Sequence, residues 1–245
     1  MYRPLLNSMA LAIVTFIATA PQAAYGQAII KHLSTSSLAG KELTRDSFSL
    51  SELNDAKTLA KSGDVEAQYR VAILNHMRGA YSQAEAWYRR AALFRHPLAA
   101  YNLGLMYYQG EGVEMNHEEA ARWFEVSANA DYPDAAFQLG LMHYRGDGVP
   151  KNPALEAQWY RRSALGGNAE AQFNMAVLHS KGEGVAEDPV AALAWLDMAV
   201  ANGVDAQAQL SDMRSTMSPA QRQAAASLRA ETESLVKRPI YIVTN

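Results

Sequence analysis

The sequence predicts an all-α fold, a right-handed α/α solenoid of helix-turn-helix repeats with capping helices at both ends. Two observations predict it. The stretch AAYNLGLMYYQGEGV at 99–113 returns with similar residues at 135–149 and 171–185, at a constant step of 36 residues. The tryptophans keep the same step, at Trp87, Trp123, Trp159 and Trp195. A fixed period of this size, with many residues in phase, is typical of stacked helical repeats.

Composition narrows the function classes before any motif is considered. The chain of 245 residues is 49% hydrophobic and has a formal net charge of −3, so no basic surplus favours a nucleic-acid partner. It contains no cysteine. That excludes disulfides, thiolate metal sites, a cysteine nucleophile and the acylation site of a bacterial lipoprotein. These values fit a chain with a sizeable core and no nucleic-acid function.

Residues 1–26 are predicted to be a signal peptide. Arg3 supplies a positive charge, Met9–Ala20 is an uncharged apolar run, and Ala24-Tyr25-Gly26 places small residues before a cleavage site at Gln27. An uncleaved anchor is the alternative, but a run of 12 residues is shorter than the ~20 needed to span a bilayer. We therefore expect an exported chain, periplasmic or secreted, that does not span a membrane after cleavage. Residues 27–50 show no period and are predicted to be a linker or arm.

The repeat solenoid is predicted to span 51–204. Each repeat has a first helix, here called helix A, then a glycine loop and a second helix, here called helix B. Glycine ends helix A because leaving a helix commonly requires a positive φ, and it does so at Gly110, Gly146 and Gly182. Gly104 and Gly140 lie inside helix A, where glycine is unfavourable, so a neighbouring helix is expected to approach closely there. Trp87, Trp123, Trp159 and Trp195 are predicted to be core residues of helix B.

The ends of the chain depart from the repeat. A helix that begins near Ser51 and stops at Gly63 lacks the tryptophan and is predicted to cap the N-terminal end. The first full repeat, 66–97, is four residues shorter than the others because it lacks the long glycine loop. Residues 205–238 are predicted to form C-terminal capping helices with a polar outer face. The last residues, 239–245, are predicted to be an extended tail.

Together these residues resemble the Sel-1-like repeat, a relative of the tetratricopeptide repeat. The marks that carry the resemblance are A-x-[YF]-x-L-G-x-M-[YH], then G-[ED]-G-V, then A-x-x-W, over roughly 64–204. The resemblance implies an α/α solenoid that acts as a scaffold for other proteins and is often exported in bacteria. Family members serve in envelope polysaccharide export, in flagellar motor rings and at the host interface. Some cysteine-rich relatives have been labelled β-lactamases, but this chain has no cysteine, so no activity is carried across.

No arrangement of residues typical of catalysis stands out. The G-E-G-V and G-D-G-V loops are too short for a phosphate cradle, and neither the Walker spacing nor the G-x-S-x-G elbow is present. His143 and His179 occupy equivalent positions and could bind zinc together with a carboxylate. The simpler interpretation, which we favour, is that each is a half-buried ring hydrogen-bonded to a loop. The chain is therefore predicted not to be an enzyme, and to hold no cofactor and no metal.

The candidate partner-binding surface lies on helix A. Positions 4, 7 and 11 of that helix share one face by the 3.6-residue period. We call the residues at these positions the helix A stripe: Arg70, Ile73, Met77, Asn102, Leu105, Gln109, Gln138, Leu141, Arg145, Asn174, Val177 and Lys181. Its amides suit the backbone of an extended peptide, and its aliphatic side chains can remove apolar area from water. A merely solvated surface is the alternative interpretation.

The sequence therefore favours a non-enzymatic scaffold or adaptor of the bacterial cell envelope that binds a protein or peptide. Two alternatives stay open at this point. One is a structural subunit of an envelope assembly, such as a flagellar motor ring or a polysaccharide secretion system, which a stable oligomer or a constant stoichiometry would favour. The other is an envelope hydrolase, which the missing nucleophile and metal motifs make less favourable.

Overall fold

Eleven α-helices make up residues 50–236, the part of the chain that the computed structural model describes, and this part contains no β-strand. The helices are α1 (Leu50–Lys61), α2 (Val65–Met77), α3 (Tyr81–Leu93), α4 (Pro97–Gln109), α5 (His117–Asn129), α6 (Pro133–Arg145), α7 (Pro153–Leu165), α8 (Ala169–Lys181), α9 (Pro189–Ala201), α10 (Gln207–Thr216) and α11 (Pro219–Leu235). The all-α prediction is confirmed for these residues. None of these helices combines the length and apolar character that a membrane crossing requires. The predicted signal peptide, nearly all of the predicted arm and the predicted extended tail lie outside the described residues.

The described chain divides into two compact units. The N-terminal unit, residues 50–131, contains the hairpins of α2 with α3 and of α4 with α5, and α1 packs against α2. The C-terminal unit, residues 132–236, contains the hairpins of α6 with α7 and of α8 with α9, and α10 and α11 both pack against α9. Within each unit the second hairpin packs on the first, through α3 and α4 and through α7 and α8. This is the helix-turn-helix repeat that the sequence predicted, with α2, α4, α6 and α8 as helix A.

Side-chain caps determine where many of the helices begin. One oxygen accepts a hydrogen bond from a first-turn backbone N–H of the following helix at Asp64, Asn116, Asn152, Asn168 and Asp188. Such a cap satisfies a donor that the helix itself leaves without a partner. Both α7 and α9 also have proline in the first turn, where its missing N–H costs no hydrogen bond. The last helix, α11, begins with a complete capping box.

The glycine loops at 110–113 and 182–185 lie against the helix B that precedes them. The first glycine of each of these loops, and Gly146 in the equivalent loop after α6, ends helix A in the left-handed conformation, with φ of 70° to 82° at Gly110, Gly146 and Gly182. The second glycine is required for space. A Cβ on Gly112 would lie 2.0 Å from Tyr81 Cβ, and a Cβ on Gly184 would lie 2.0 Å from the carbonyl oxygen of Pro153. The loop therefore touches the start of helix B directly, because no side chain separates them.

The core of each hairpin is built around the residue that follows the tryptophan. These residues are almost completely buried: Tyr88, Phe124, Tyr160 and Leu196. In two hairpins the side chain fills the space beside the glycine inside helix A, because a Cβ on Gly104 would lie 2.7 Å from the Phe124 ring and a Cβ on Gly140 would lie 2.5 Å from the Tyr160 ring. A close approach was expected at both glycines. The structure shows that an aromatic ring of the neighbouring helix makes the nearest contact at both positions, and at Gly104 the carbonyl oxygen of Ala120 in that helix lies 3.3 Å from the Cβ position.

The four tryptophans are less uniform than their recurrence implies. Trp123 and Trp195 are 8% exposed, whereas Trp87 and Trp159 are half-buried. At both half-buried positions the guanidinium group of the arginine three residues later lies over the indole, 4.6 Å from the ring centroid at Trp87 and 5.8 Å at Trp159. These two indoles are therefore covered in part by charged side chains that lie along the helix surface.

Gly104→Ala is expected to lower the free energy of unfolding by about 1–3 kcal/mol, because the added methyl group overlaps the Phe124 ring. The fourth repeat carries Ala176 and Leu196 at the two equivalent positions. Adding Phe124→Leu is therefore expected to recover part of the loss. Urea unfolding of both single variants and of the double variant measures the coupling, and strictly additive changes would show that the two side chains do not share this space.

Arg95 occupies a turn position at which both repeats of the C-terminal unit have glycine. Its φ is 61°, and the equivalent residues Gly167 and Gly203 have φ of 92° and 101°. The left-handed conformation costs an ordinary residue about 1–2 kcal/mol, and the greater freedom of unfolded glycine offsets about half of that gain. Arg95→Gly is therefore expected to raise the free energy of unfolding by about 0.5–1 kcal/mol, measured by urea unfolding.

The control for Arg95→Gly is Gly203→Ala. A Cβ on Gly203 meets nothing within 4 Å, so this variant tests backbone strain without a steric clash. It is expected to lower the free energy of unfolding by about 0.5–1 kcal/mol, because the smaller freedom of unfolded alanine offsets about half of the strain. Unchanged stability in both variants would show that these turns carry no strain.

Candidate partner-binding surface

The aliphatic members of the helix A stripe belong to the core. All four side chains at position 7 are buried: Ile73, Leu105, Leu141 and Val177. Ile73 packs in the core of the N-terminal unit, and Leu141 and Val177 pack in the core of the C-terminal unit. These residues therefore present little apolar area to a partner, and their burial contributes to folding.

The two asparagines of the stripe are also buried, and each binds the preceding repeat. Asn102 Nδ2 donates to the hydroxyl oxygen of Tyr88 at 3.5 Å, and Asn174 is hydrogen-bonded to the hydroxyl of Tyr160. Burial raises the pKa of both tyrosines well above the usual value, so both hydroxyls stay protonated. Within each unit these amides connect one hairpin to the next, because an unpaired buried amide would cost about 1–3 kcal/mol.

Six members of the stripe remain accessible: Arg70, Met77, Gln109, Gln138, Arg145 and Lys181. Arg70 is exposed and the other five are half-buried. Two of the cations lie beside acids, since Arg70 Nε is 3.2 Å from Glu66 Oε1 and Lys181 Nζ is 3.8 Å from Glu183 Oε2. In the C-terminal unit the accessible part of the stripe is therefore one amide and two cations, carried by α6 and α8.

A polar network joins three helices of the N-terminal unit. Arg89 on α3 donates to the Tyr107 hydroxyl at 2.6 Å and to Glu85 Oε1 at 2.8 Å. Its guanidinium group also lies 5.4 Å from the ring centroid of Trp123 on α5, and Trp123 Nε1 donates to Glu119 at 3.0 Å. These contacts hold the outer edge of the buried indole, so the cluster serves packing.

His143 and His179 each bind a loop carbonyl. His143 Nδ1 lies 3.1 Å from the carbonyl oxygen of Pro150, and His179 Nδ1 lies 3.3 Å from that of Ala186. Each ring therefore donates to the loop that follows its own helix, as in the simpler of the two interpretations. Between residues 50 and 236, no group of three His, Cys, Asp or Glu is placed to hold a metal ion.

His76 makes a contact that the sequence did not reveal. Its Nε2 lies 3.1 Å from Glu111 Oε2, so the end of α2 is joined to the glycine loop of the next repeat. Burial lowers the pKa of His76, and the nearby Glu111 partly opposes this. The neutral ring therefore donates its Nε2–H to the carboxylate. No recurrence could have revealed the contact, because the equivalent residue of α6 is Tyr144.

Glu156 on α7 departs most from the repeat pattern of the C-terminal unit. The equivalent residue in the other repeats is alanine, at Ala84, Ala120 and Ala192. Glu156 is 7% exposed, and none of the hydrogen bonds formed among the described residues ends on its carboxyl group. Burial and the neighbouring Glu183 raise its pKa to about 7, against the opposite effect of Lys181. The sequence could have indicated Glu156, because it is the one acid among four equivalent positions that otherwise carry alanine.

These observations define a helical repeat protein with a partly accessible polar face on the first helix of each hairpin. The Sel1 repeat model matches residues 65–93, 97–132, 133–168 and 169–204, which is more than half of the chain. The chain therefore belongs to the Sel1 repeat family, as the resemblance implied. Proteins of this family generally mediate protein–protein interactions and are typically non-catalytic.

This chain is similar to several solved structures, including the following two. A Sel1 repeat protein from Oxalobacter formigenes shares 29% identity, with 66% of this chain and 48% of that one covered and a TM-score of 0.60. A protective antigen present in uropathogenic Escherichia coli strains, which displays an SLR fold, shares 24% identity, with 75% of this chain and 48% of that one covered and a TM-score of 0.50. The second likeness concerns the fold alone. The chain spans about half the length of each of these proteins. The comparison with curated proteins gave no match.

The buried carboxyl group of Glu156 is expected to make stability depend on pH. An unfolded glutamate has a pKa of about 4.3, whereas the pKa of Glu156 in the fold is about 7. The folded state therefore holds the proton more tightly, and the stability this group contributes is lost as pH rises from about 4.3 to about 7. Across that window, the free energy of unfolding of wild type is expected to fall by about 1–3 kcal/mol relative to Glu156→Gln.

Urea unfolding at several pH values across this window measures the difference. Glu187→Gln is the matched control, because Glu187 is an exposed acid near the same loop and should leave the pH profile of wild type unchanged. Parallel profiles for Glu156→Gln and wild type would contradict a raised pKa in the folded chain.

Proposed function

We propose that this protein is an exported, non-catalytic scaffold of the bacterial cell envelope that binds a peptide or protein through the accessible residues of the helix A stripe. Membership of the Sel1 repeat family supports the general role in protein interaction. The pattern of residues 1–26, a positive charge followed by an apolar run and small residues, supports export.

The observation that carries the proposal is the repeated burial pattern along the stripe. Position 7 is buried in all four helix A elements, and position 11 is half-buried in all four: Met77, Gln109, Arg145 and Lys181. The partly accessible side chains at position 11 therefore lie beside a row of buried, closely packed side chains. Packing of this kind is expected to order the contacting groups in advance, which reduces the entropy lost on binding.

The accessible groups also determine what kind of contact the surface can make. In the C-terminal unit they are Gln138, Arg145 and Lys181, which supply hydrogen bonds and charge but little apolar area. Binding there is expected to depend on directional polar contacts rather than on the hydrophobic effect. A net intramolecular hydrogen bond contributes about 0.5–1.5 kcal/mol, and one to a charged group about 1.5–3 kcal/mol, so a few such contacts set the affinity.

The double variant Gln138→Ala/Arg145→Ala is expected to reduce partner retention about fivefold or more, because it removes an amide and a charged donor from the accessible stripe. The mature chain serves as bait in an envelope extract, and quantitative mass spectrometry measures retention. Gln158→Ala/Arg161→Ala is the matched control, since it removes the same two residue types from exposed positions of α7. It is expected to retain partners like wild type.

Thermal unfolding of both double variants shows whether a loss arises from misfolding. Equal retention by the stripe variant and the control variant would contradict the proposed surface. A stable oligomer of constant stoichiometry in the envelope would instead support a structural subunit. N-terminal sequencing of the protein from the envelope fraction tests export, with Gln27 as the expected first residue.

A further inference from the structure

We infer that Glu156 and Glu183 form a binding site for the guanidinium group of an arginine side chain on the peptide partner. The inference rests on the proposed function, since it requires such a partner, and it adds the chemistry that the C-terminal unit recognises. Three observations carry it: an acid at a position that is otherwise alanine, a buried carboxyl group without a donor, and a second carboxyl group beside it.

The glycine loop after α8 brings the second carboxyl group to the first. Gly184 lies directly against Pro153 at the start of α7, since a Cβ there would lie 2.0 Å from the Pro153 carbonyl oxygen. Glu183 precedes Gly184, and Glu156 lies in the first turn of α7. The two carboxyl groups are close enough to repel each other, and this repulsion disfavours the ionised form of Glu156. The contact between the loop and the start of α7 therefore brings Glu183 within electrostatic range of Glu156.

Glu156 differs from the other buried polar side chains of its unit. Gln172 donates to the carbonyl oxygen of Ala164 at 3.2 Å and accepts from Asn202 Nδ2 at 2.8 Å. Ser163 donates to a backbone carbonyl oxygen at 2.8 Å. The carboxyl group of Glu156 receives no such hydrogen bond from any described residue. The carboxyl group of Glu156 can therefore accept a hydrogen bond from a donor on a partner molecule.

An incoming donor can reach this carboxyl group. Among the described residues, the fully buried side-chain atoms without a hydrogen bond are Gln68 Oε1 and His76 Nδ1. The oxygens of Glu156 are not among them, so they keep contact with solvent although the residue as a whole is 7% exposed. Because Glu156 is largely buried, a charge-assisted hydrogen bond formed to it is stronger than one formed on an open surface.

Charge and shape select arginine over other side chains. With both carboxyl groups ionised, Glu156 and Glu183 contribute two negative charges and Lys181 contributes one positive charge, 3.8 Å from Glu183. One further cation balances the site. A guanidinium group carries five N–H donors in a planar fork and can donate to two carboxylates at once, whereas an ammonium group is a compact point charge.

Binding is linked to the proton on Glu156. A guanidinium group favours the ionised carboxylate, so binding releases a proton and the affinity increases as pH rises through about 7. The charged groups that act on Glu156 are Lys181 at the end of α8 and Glu183 in the loop. Glu156 in turn raises the pKa of the Tyr160 hydroxyl on α7, and Arg145 on α6 lowers it.

The test titrates the mature chain with the peptide acetyl-Gly-Ser-Arg-Ser-Gly-amide and with the same peptide carrying neutral citrulline in place of arginine. NMR chemical shifts report the affinity, and calorimetry in two buffers of different ionisation enthalpy reports proton release. The arginine peptide is expected to bind about tenfold more tightly than the citrulline peptide, and more tightly at about pH 8 than at about pH 6. Lys181→Gln is expected to bind it more tightly, because a competing cation is removed.

Glu156→Gln is expected to lose the preference for arginine, the proton release and the pH dependence, whereas Glu187→Gln keeps all three. Glu183→Gln is the second variant, with a weaker but still pH-dependent preference, and it changes an exposed loop residue that the core does not need. Equal binding of both peptides to wild type, or unchanged arginine binding in Glu156→Gln, overturns the inference. If that occurs while Gln138→Ala/Arg145→Ala still loses its envelope partner, the proposed function stands and this site alone is rejected.

Discussion

Two of the hairpins depend on one close contact, between a glycine inside helix A and the aromatic residue that follows the tryptophan in helix B. Gly104 faces Phe124, and Gly140 faces Tyr160. A buried aromatic side chain removes about 150–250 Å² from water, which at about 25 cal/mol per Å² corresponds to several kcal/mol. A glycine within a helix costs only about 0.5–1 kcal/mol relative to alanine. The burial term is the larger, so the helix accepts the unfavourable glycine.

This contact places the polar groups that connect one hairpin to the next. The ring that fills the space beside helix A is a tyrosine in Tyr88 and Tyr160, and its hydroxyl reaches the asparagine of the following helix A. A buried hydroxyl or amide without a partner costs about 1–3 kcal/mol, so the pair favours one register of the two hairpins. Half of the stripe is therefore explained by packing. The functional argument rests on the other half, the side chains that the packing leaves accessible.

The repeat, the helix pairs and the loop glycines could be predicted from sequence because each leaves a periodic trace. The burial of Leu105 and Val177 could not, because a helical period shows which residues share a face but not what covers that face. Phe124 and its equivalents leave no such trace, because they vary in identity, yet they are more deeply buried than the tryptophans. The sequence shows Glu156 only as one acid among equivalent alanines. Its closeness to Glu183 could not be predicted, because a loop of another repeat brings the two residues together.

The acidic residue of the glycine loop has different neighbours in the two units. In the N-terminal unit the loop carboxylate of Glu111 accepts a hydrogen bond from the neutral ring of His76, and the helix B position is Ala84, so the contact is satisfied within the chain. In the C-terminal unit the loop carboxylate of Glu183 faces a second acid, Glu156, where alanine would remove both the buried charge and the repulsion. Glu156 is expected to lower stability at neutral pH, and the three equivalent positions carry alanine instead. A residue of this kind is typical of a position that serves binding. Because of this difference, we expect the C-terminal unit to contact the partner.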